Sequence, residues 1–149
     1  MADRSDVLTW ATAVSTNKNN GRQIIFRYAE HLGPNFDRSS QPFRIIIVWK
    51  YQSANGQPIG EEYRRMIQLE NALESALKKD HFATLSLVST GENLREWTYY
   101  AKAENEFMAR LNFAFAGTPE FPIEIHSASD PDWEMYEEFK AGLVEKPCQ

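Results

Sequence analysis

Hydrophobic positions along the chain recur with a period of two in some stretches and 3.6 in others, and the switches between the two order the elements. Trp10-Ala11-Thr12-Ala13-Val14 and Ile24-Ile25-Phe26-Arg27-Tyr28 are rich in β-formers and flank Asn19-Asn20-Gly21. Asn and Gly tolerate positive φ, so residues 7–30 read as a hairpin with a longish loop. Gly33, Pro34 and Pro42 mark 33–42 as a loop. The strongest strand follows, Phe43 to Tyr51, with Ile45, Ile47 and Trp49 pointing one way and Ile46 and Val48 the other. A strand apolar on both faces belongs inside a sheet that is covered on both sides. Residues 52–60, with Asn55-Gly56 and Pro58, form a turn-rich link.

From Glu61 the period becomes helical. Tyr63, Met66, Ile67, Leu73 and Leu77 trace one stripe with Glu70 as an interruption, and acids at the start and Lys78 and Lys79 at the end complement the helix dipole. Two strands follow, Phe82 to Val88 and Leu94 to Ala101, joined at Thr90-Gly91-Glu92-Asn93. In the first, Ala83, Leu85 and Leu87 share a face; in the second, Trp97, Tyr99 and Ala101 do. A second helix runs from about Ala103 to Ala116, presenting Phe107, Leu111, Ala114 and Phe115, and Gly117 supplies a left-handed stop. The next strand, Phe121 to Ser127, turns Phe121, Ile123 and Ile125 inward and Glu124 and His126 outward. Asp130-Pro131 reads as an N-cap with proline in the first helical position, opening a last helix over 130–144 that carries Trp133, Tyr136 and Phe139 or Lys140 at helical spacing.

From 43 to 127 the order is strand, helix, strand, strand, helix, strand. This predicts an α+β fold: a ferredoxin-like βαββαβ antiparallel sheet with an N-terminal β-hairpin and a C-terminal helix added. Right-handed crossovers set both central helices on one face. The hairpin, the last helix or a second subunit is then expected to cover the other face, where Ile46 and Val48 are wrong for bare exposure. The 149 residues, 42% hydrophobic and 13% aromatic, suit one domain over 1–149 with a real core.

Charge changes the picture in one respect. The net charge is −5, which argues against a generic nucleic-acid binder. Yet residues 118–149 hold eight acids against Lys140 and Lys146, while the first 117 residues hold 13 acids and 14 bases. The negative balance therefore sits at the C-terminal end, where it forms either a solvated helix face or a surface for a basic partner. The single cysteine, Cys148, cannot pair within the chain and suits a reducing compartment. No signal peptide and no membrane-length apolar run is recognisable, so a cytoplasmic protein without a membrane partner is expected.

The search for chemistry is mostly negative. No two of the seven glycines are two apart and none precedes a lysine, which removes the dinucleotide fingerprint and the phosphate loop. His31, His81 and His126 are isolated from one another, no cysteine pair offers zinc ligands, and no metal or cofactor is expected. Read as a calcium loop from Asp130, the sixth and twelfth positions are Met135 and Ala141 instead of Gly and Glu, so helix capping is the better reading. Glu124 and His126 share an outward face but stand about 7 Å apart along a strand rising ~3.3 Å per residue, so acid–base work needs a third group. The most unusual feature is aromatic: Trp97, Tyr99, Tyr100, Trp133 and Tyr136. These rings are either core and lid packing or a binding platform beside Asp130 and Asp132. The candidate binding residues are Trp97, Tyr99, Asp130, Asp132, Trp133 and Tyr136, with no catalytic residue named. A ferredoxin-like sheet can stack RNA bases, but Leu94-Arg95-Glu96-Trp97-Thr98-Tyr99-Tyr100 lacks the glycines of that motif and adds an acid.

Arg95-Glu96-Trp97-Thr98-Tyr99-Tyr100-Ala101, Phe107 in the helix that follows, and Asp130-Pro131-Asp132-Trp133 with Tyr136 resemble, in order and spacing, the bacterial domain-of-unknown-function family 695. The resemblance covers nearly the whole chain. It implies an α+β fold related to the regulator of ribonuclease activity B group, which is ferredoxin-like and acts by binding protein. It brings no catalytic residue, and the strongly acidic arms of that regulator have no counterpart here. Three functions follow as expectations. The first is a non-enzymatic protein-binding or regulatory module using the acidic C-terminal segment. The second is a small-molecule-binding protein or hydrolytic enzyme with an unfamiliar site on the aromatic and acidic surface. The third is a homodimer formed through the sheet.

Overall fold

A computed structural model describes residues 7–145; Cys148 and Lys146 lie outside the described residues. The chain runs through β1 (Val7–Thr16), β2 (Gln23–Leu32), β3 (Phe43–Lys50), α1 (Gly60–Leu77), β4 (Ala83–Gly91), β5 (Leu94–Ala101), α2 (Glu104–Phe115), β6 (Ile123–Ser129) and α3 (Glu134–Glu145). The strands form one six-stranded antiparallel sheet in the order β1-β2-β4-β5-β3-β6. This is wider than the four-stranded sheet read from residues 43–127. The hairpin lies against no face. It continues the sheet sideways, with Phe26 opposite Ser89 and Tyr28 opposite Leu87.

The two faces are covered by different helices. On one, α1 and α2 bury Met66, Leu69, Leu73, Leu77, Phe107 and Leu111 against Ile45, Ile47, Trp49, Trp97 and Tyr99. On the other, Tyr136 of α3 and Trp133 of the turn before it seat on Tyr100 and Ala29, and Phe139 meets Phe26 and Tyr28 at 5.2 and 5.3 Å between ring centroids. The two-sided strand β3 is accordingly interior, between β5 and β6, with Val48 buried and Ile46 half-buried.

Several local readings shift. The buried stripe of α1 is Met66, Leu69, Leu73 and Leu77, whose 3-4-4 spacing keeps one face inward. Tyr63, expected on that stripe, is exposed. In β4 a bulge between Leu85 and Leu87 inserts Ser86, whose hydroxyl donates to the Thr98 carbonyl at 2.9 Å. The extra residue flips the parity, so Leu87 leaves the face of Ala83 and Leu85 and Val88 takes the core position opposite Trp97. Thr90 and Gly91 belong to β4, and the turn is Glu92-Asn93 alone, at φ 52° and 65°. Two left-handed central residues are what a tight hairpin between right-twisted strands needs. Gly91, at φ 156°, is required by crowding: a Cβ there would stand 2.4 Å from the Gln23 carbonyl oxygen.

Phe121 precedes β6 instead of opening it, yet it is buried, packing on Trp49 and Phe115. Gly117 takes φ 85° beyond α2, as its place after the helix predicts. Pro131 is not the first residue of α3. Residues 130–133 make a turn in which the Trp133 N–H donates to the Asp130 carbonyl at 3.0 Å, and Trp133 itself sits at φ 57°. The Asp130 carboxylate still caps the helix, but reaches over this turn to the N–H groups of Glu134 and Met135 at 2.8 and 3.3 Å. Among the described residues no helix is long and apolar enough to cross a membrane.

Candidate functional site

The sheet itself divides the candidate residues. Trp97 and Tyr99 occupy odd positions of β5 and face α1 and α2, whereas Tyr100 is one residue on and faces α3. On the first face the organising group is Glu70. Its carboxylate accepts from the Trp97 indole N–H at 3.0 Å, from Arg95 at 3.2 Å and from Arg27. The apparent break in the apolar stripe of α1 is therefore its polar hub. Arg95, almost fully buried, also donates to Thr90 Oγ1 at 2.9 Å and lies 5.1 Å from the Trp97 ring centroid. Burial alone would raise the Glu70 carboxyl, but the hydrogen bonds from Trp97 and Arg27 and the charges of Arg27 and Arg95 hold it below the ordinary carboxylate range. Tyr99 packs on Phe107 at 5.5 Å, and burial pushes its hydroxyl far above the usual phenol range.

On the second face Asp130 plays the matching part. Besides capping α3, it accepts from the Tyr100 hydroxyl at 2.8 Å and from Arg44 at 3.2 Å. Burial opposes ionisation here too. The two helix N–H groups, Tyr100 and Arg44 outweigh it, and the carboxyl lies below its ordinary value. Trp133 stacks on Tyr100 at 4.1 Å and 10°, meets Tyr136 and Phe36 edge-on, and donates its indole N–H to the Gln41 carbonyl at 3.0 Å. Tyr136 donates to the Ala29 carbonyl, and burial pushes its hydroxyl up to about 12. Arg38 lies over both rings at about 5.5 Å and pairs with Glu137.

The six candidates thus do not converge. Trp97 and Tyr99 are sealed beneath α1 and α2, Asp130, Trp133 and Tyr136 are sealed beneath α3, and Asp132 alone stands at the surface. Glu70, Arg95, Arg44 and Gln41 were absent from that set. Only Glu70 carried a visible signal, as a carboxylate in an otherwise apolar stripe.

Two further places hold polar groups. Glu124 and His126 lean together to 3.4 Å, closer than their spacing along the strand, but both are exposed and Glu124 also reaches Lys50 at 3.5 Å. More enclosed is a cavity of about 500 Å³ between the loop after β2 and the start of β4. Leu8, Phe36, Asp37, Gln41, His81 and Lys102 line it. Gln41 is 1% exposed. Its Nε2 donates to the His81 carbonyl at 2.8 Å, while its Oε1 has no hydrogen-bond partner among the described residues. His81 in its wall and Asp80 just before it both adopt left-handed φ, 52° and 56°, a conformation that costs a non-glycine residue about 1–2 kcal/mol. Arg110 holds Asp80 there with a two-nitrogen grip at 3.0 and 3.2 Å. Among the described residues no group of three or more His, Cys, Asp or Glu side chains is arranged to hold a metal ion.

Residues 9–140 match the model of a family of unknown function, DUF695, and the chain belongs to that family. A comparison with curated proteins finds no match.

Proposed function

We propose that this member of the DUF695 family is a non-enzymatic module that acts by binding protein through the acidic outer side of α3. The observation that carries the reading is how the carboxylates are partitioned. The buried Asp130 and the half-buried Glu70 are saturated by donors of the fold itself, leaving them no role as acid or base. Asp132, Glu134 and Glu138 instead stand exposed on the turn and first part of α3, where they meet whatever approaches that side. The same reading treats β3 to β6, with α1 and α2 on one face, as a ferredoxin-like unit widened by the hairpin. A basic partner surface would be steered by such a face and released by salt. Reversing Asp132, Glu134 and Glu138 to lysine is expected to weaken a stoichiometric partner at least tenfold and to flatten the salt dependence of binding, measured by titration calorimetry on the purified pair. Unchanged affinity after reversal removes the acidic face from the interaction.

A second reading rests on the Gln41 cavity. A buried amide oxygen without a donor favours a small ligand carrying an N–H or O–H group. Ligand-observed NMR with a library of small amides and amines is expected to return binders that lose contact in Gln41→Met. A library with no binder, or binding indifferent to that change, sets this reading aside.

A further inference from the structure

The two outer strands of the sheet are treated very differently by the sequence. β6, the short edge, carries Glu124 and His126 outward, with Lys50 beside them. Charged side chains of this kind blunt an edge against further pairing. β1, the other edge, is ten residues long, VLTWATAVST, with no charged residue and no proline. It offers a row of backbone N–H and C=O groups on its outer side. Beyond the cover of the helices it also exposes large apolar side chains. Leu8 is 60%, Trp10 41%, Val14 49% and the neighbouring Ile25 37% exposed. Thr12 and Val14 oppose Arg27 and Ile25 across β1 and β2, and the Arg27 guanidinium lies 5.6 Å from the Trp10 ring centroid, so these β1 side chains share the face on which Arg27 reaches Glu70.

We infer that β1 is the dimerisation edge of this protein, pairing antiparallel with β1 of a second copy across a two-fold axis at Thr12. The commitment to a second copy follows from the strand's own pattern. Antiparallel self-pairing about Thr12 sets Trp10 against Val14 of the partner subunit at both ends of the contact, and an aromatic opposite a β-branched side chain is a favourable cross-strand pair. Thr12 meets its own symmetry mate, and the regular part of the strand, Trp10 to Thr16, carries the contact. No charge on the strand repels its copy, and antiparallel addition continues a sheet that is antiparallel throughout. Because only one of the two edges is uncharged, pairing closes at a dimer with a twelve-stranded sheet (twice the six strands of one chain) instead of growing into a fibre. The interface is independent of the α3 surface proposed above, which lies on the opposite face, so reversing charges there leaves the dimer intact.

Sedimentation velocity on the full chain tests this. The wild type is expected at twice the 17.2 kDa chain mass at tens of micromolar. Thr12→Lys and Thr12→Glu, each placing like charges opposite each other at an exposed position, are expected to run as folded monomers, with dimer affinity down at least tenfold. An equimolar mixture of the two is expected to recover the dimer, because opposite charges then meet at the axis. A wild type that stays monomeric at hundreds of micromolar overturns the proposal. So does a dimer that persists in both variants, and so does a mixture no more dimeric than either variant alone.

Discussion

Replacing Glu70 with alanine is expected to destabilise the fold by about 3–5 kcal/mol, the range for removing one partner of a buried ion pair. The size follows from what is left behind. Arg95, almost fully buried, would keep only its bond to Thr90 Oγ1, and the Trp97 indole N–H would lose its acceptor inside the core. An orphaned buried charge is far worse than an orphaned neutral group, because the interior cannot solvate it. Glu70→Gln separates the two contributions: it keeps an acceptor for Trp97 and removes the charge facing Arg27 and Arg95. The expected order of denaturation midpoints is wild type, then Gln, then Ala. Equal midpoints for wild type and alanine would show that the hub contributes nothing. The pH dependence has a definite sign. Glu70 and Asp130 have carboxyl pKa values lower in the folded chain than in the unfolded one. Their contribution is therefore whole above the ordinary carboxylate pKa of about 4 and is lost as pH falls from there through the lower folded values. Glu70→Gln should flatten that acid limb.

Trp133→Ala is expected to have a comparable effect, about 3–5 kcal/mol, typical for deleting a buried large aromatic. Trp133 is wholly buried and sits where α3, β5 and the loop after β2 meet, stacked on Tyr100, edge-on to Phe36 and Tyr136, and hydrogen-bonded to the Gln41 carbonyl. Removing it opens a cavity and also strands that carbonyl. Trp133→Phe keeps a ring over Tyr100 and loses the hydrogen bond and part of the volume, so a clearly smaller loss is expected. Urea titration followed by circular dichroism distinguishes them; an alanine variant as stable as the phenylalanine variant would mean the ring stack carries no weight.

Much of this architecture was legible from periodicity because the signals were local. The helices of 60–77 and 104–115, the two-sided strand at 43–50, the positive φ of Gly117 and the capping carboxylate of Asp130 each depend on residues a few positions apart. What was illegible depends on distant pairings. Nothing near Ser86 marks a bulge, so strict alternation groups Leu87 with Ala83 and Leu85, the face that Val88 takes in its stead. The hairpin could be read as a hairpin, but its pairing with β4 is fixed only by contacts some 60 residues away. Glu70 stood out as polar, yet its partners Arg27 and Arg95 lie 43 and 25 residues off. The aromatic set was grouped by type, although the alternation of side chains along β5 already puts Trp97 and Tyr100 on opposite faces.

The way α3 is fastened has a consequence for how the chain reaches this state. Side chains of α3 and of the turn before it bind the carbonyls of Ala29, Glu30 and Gln41 through Tyr136, Lys140 and Trp133, across sequence separations of 107, 110 and 92 residues. During synthesis at ~5–20 residues per second, the hairpin emerges roughly 5–20 s before the helix that locks it. Through that interval the aromatic face of β2 awaits its cover, joined by that of β5 only in its last part, and closure of so long a loop comes late and slowly. The helix α3 is thus the latch that ends the folding of the first strands.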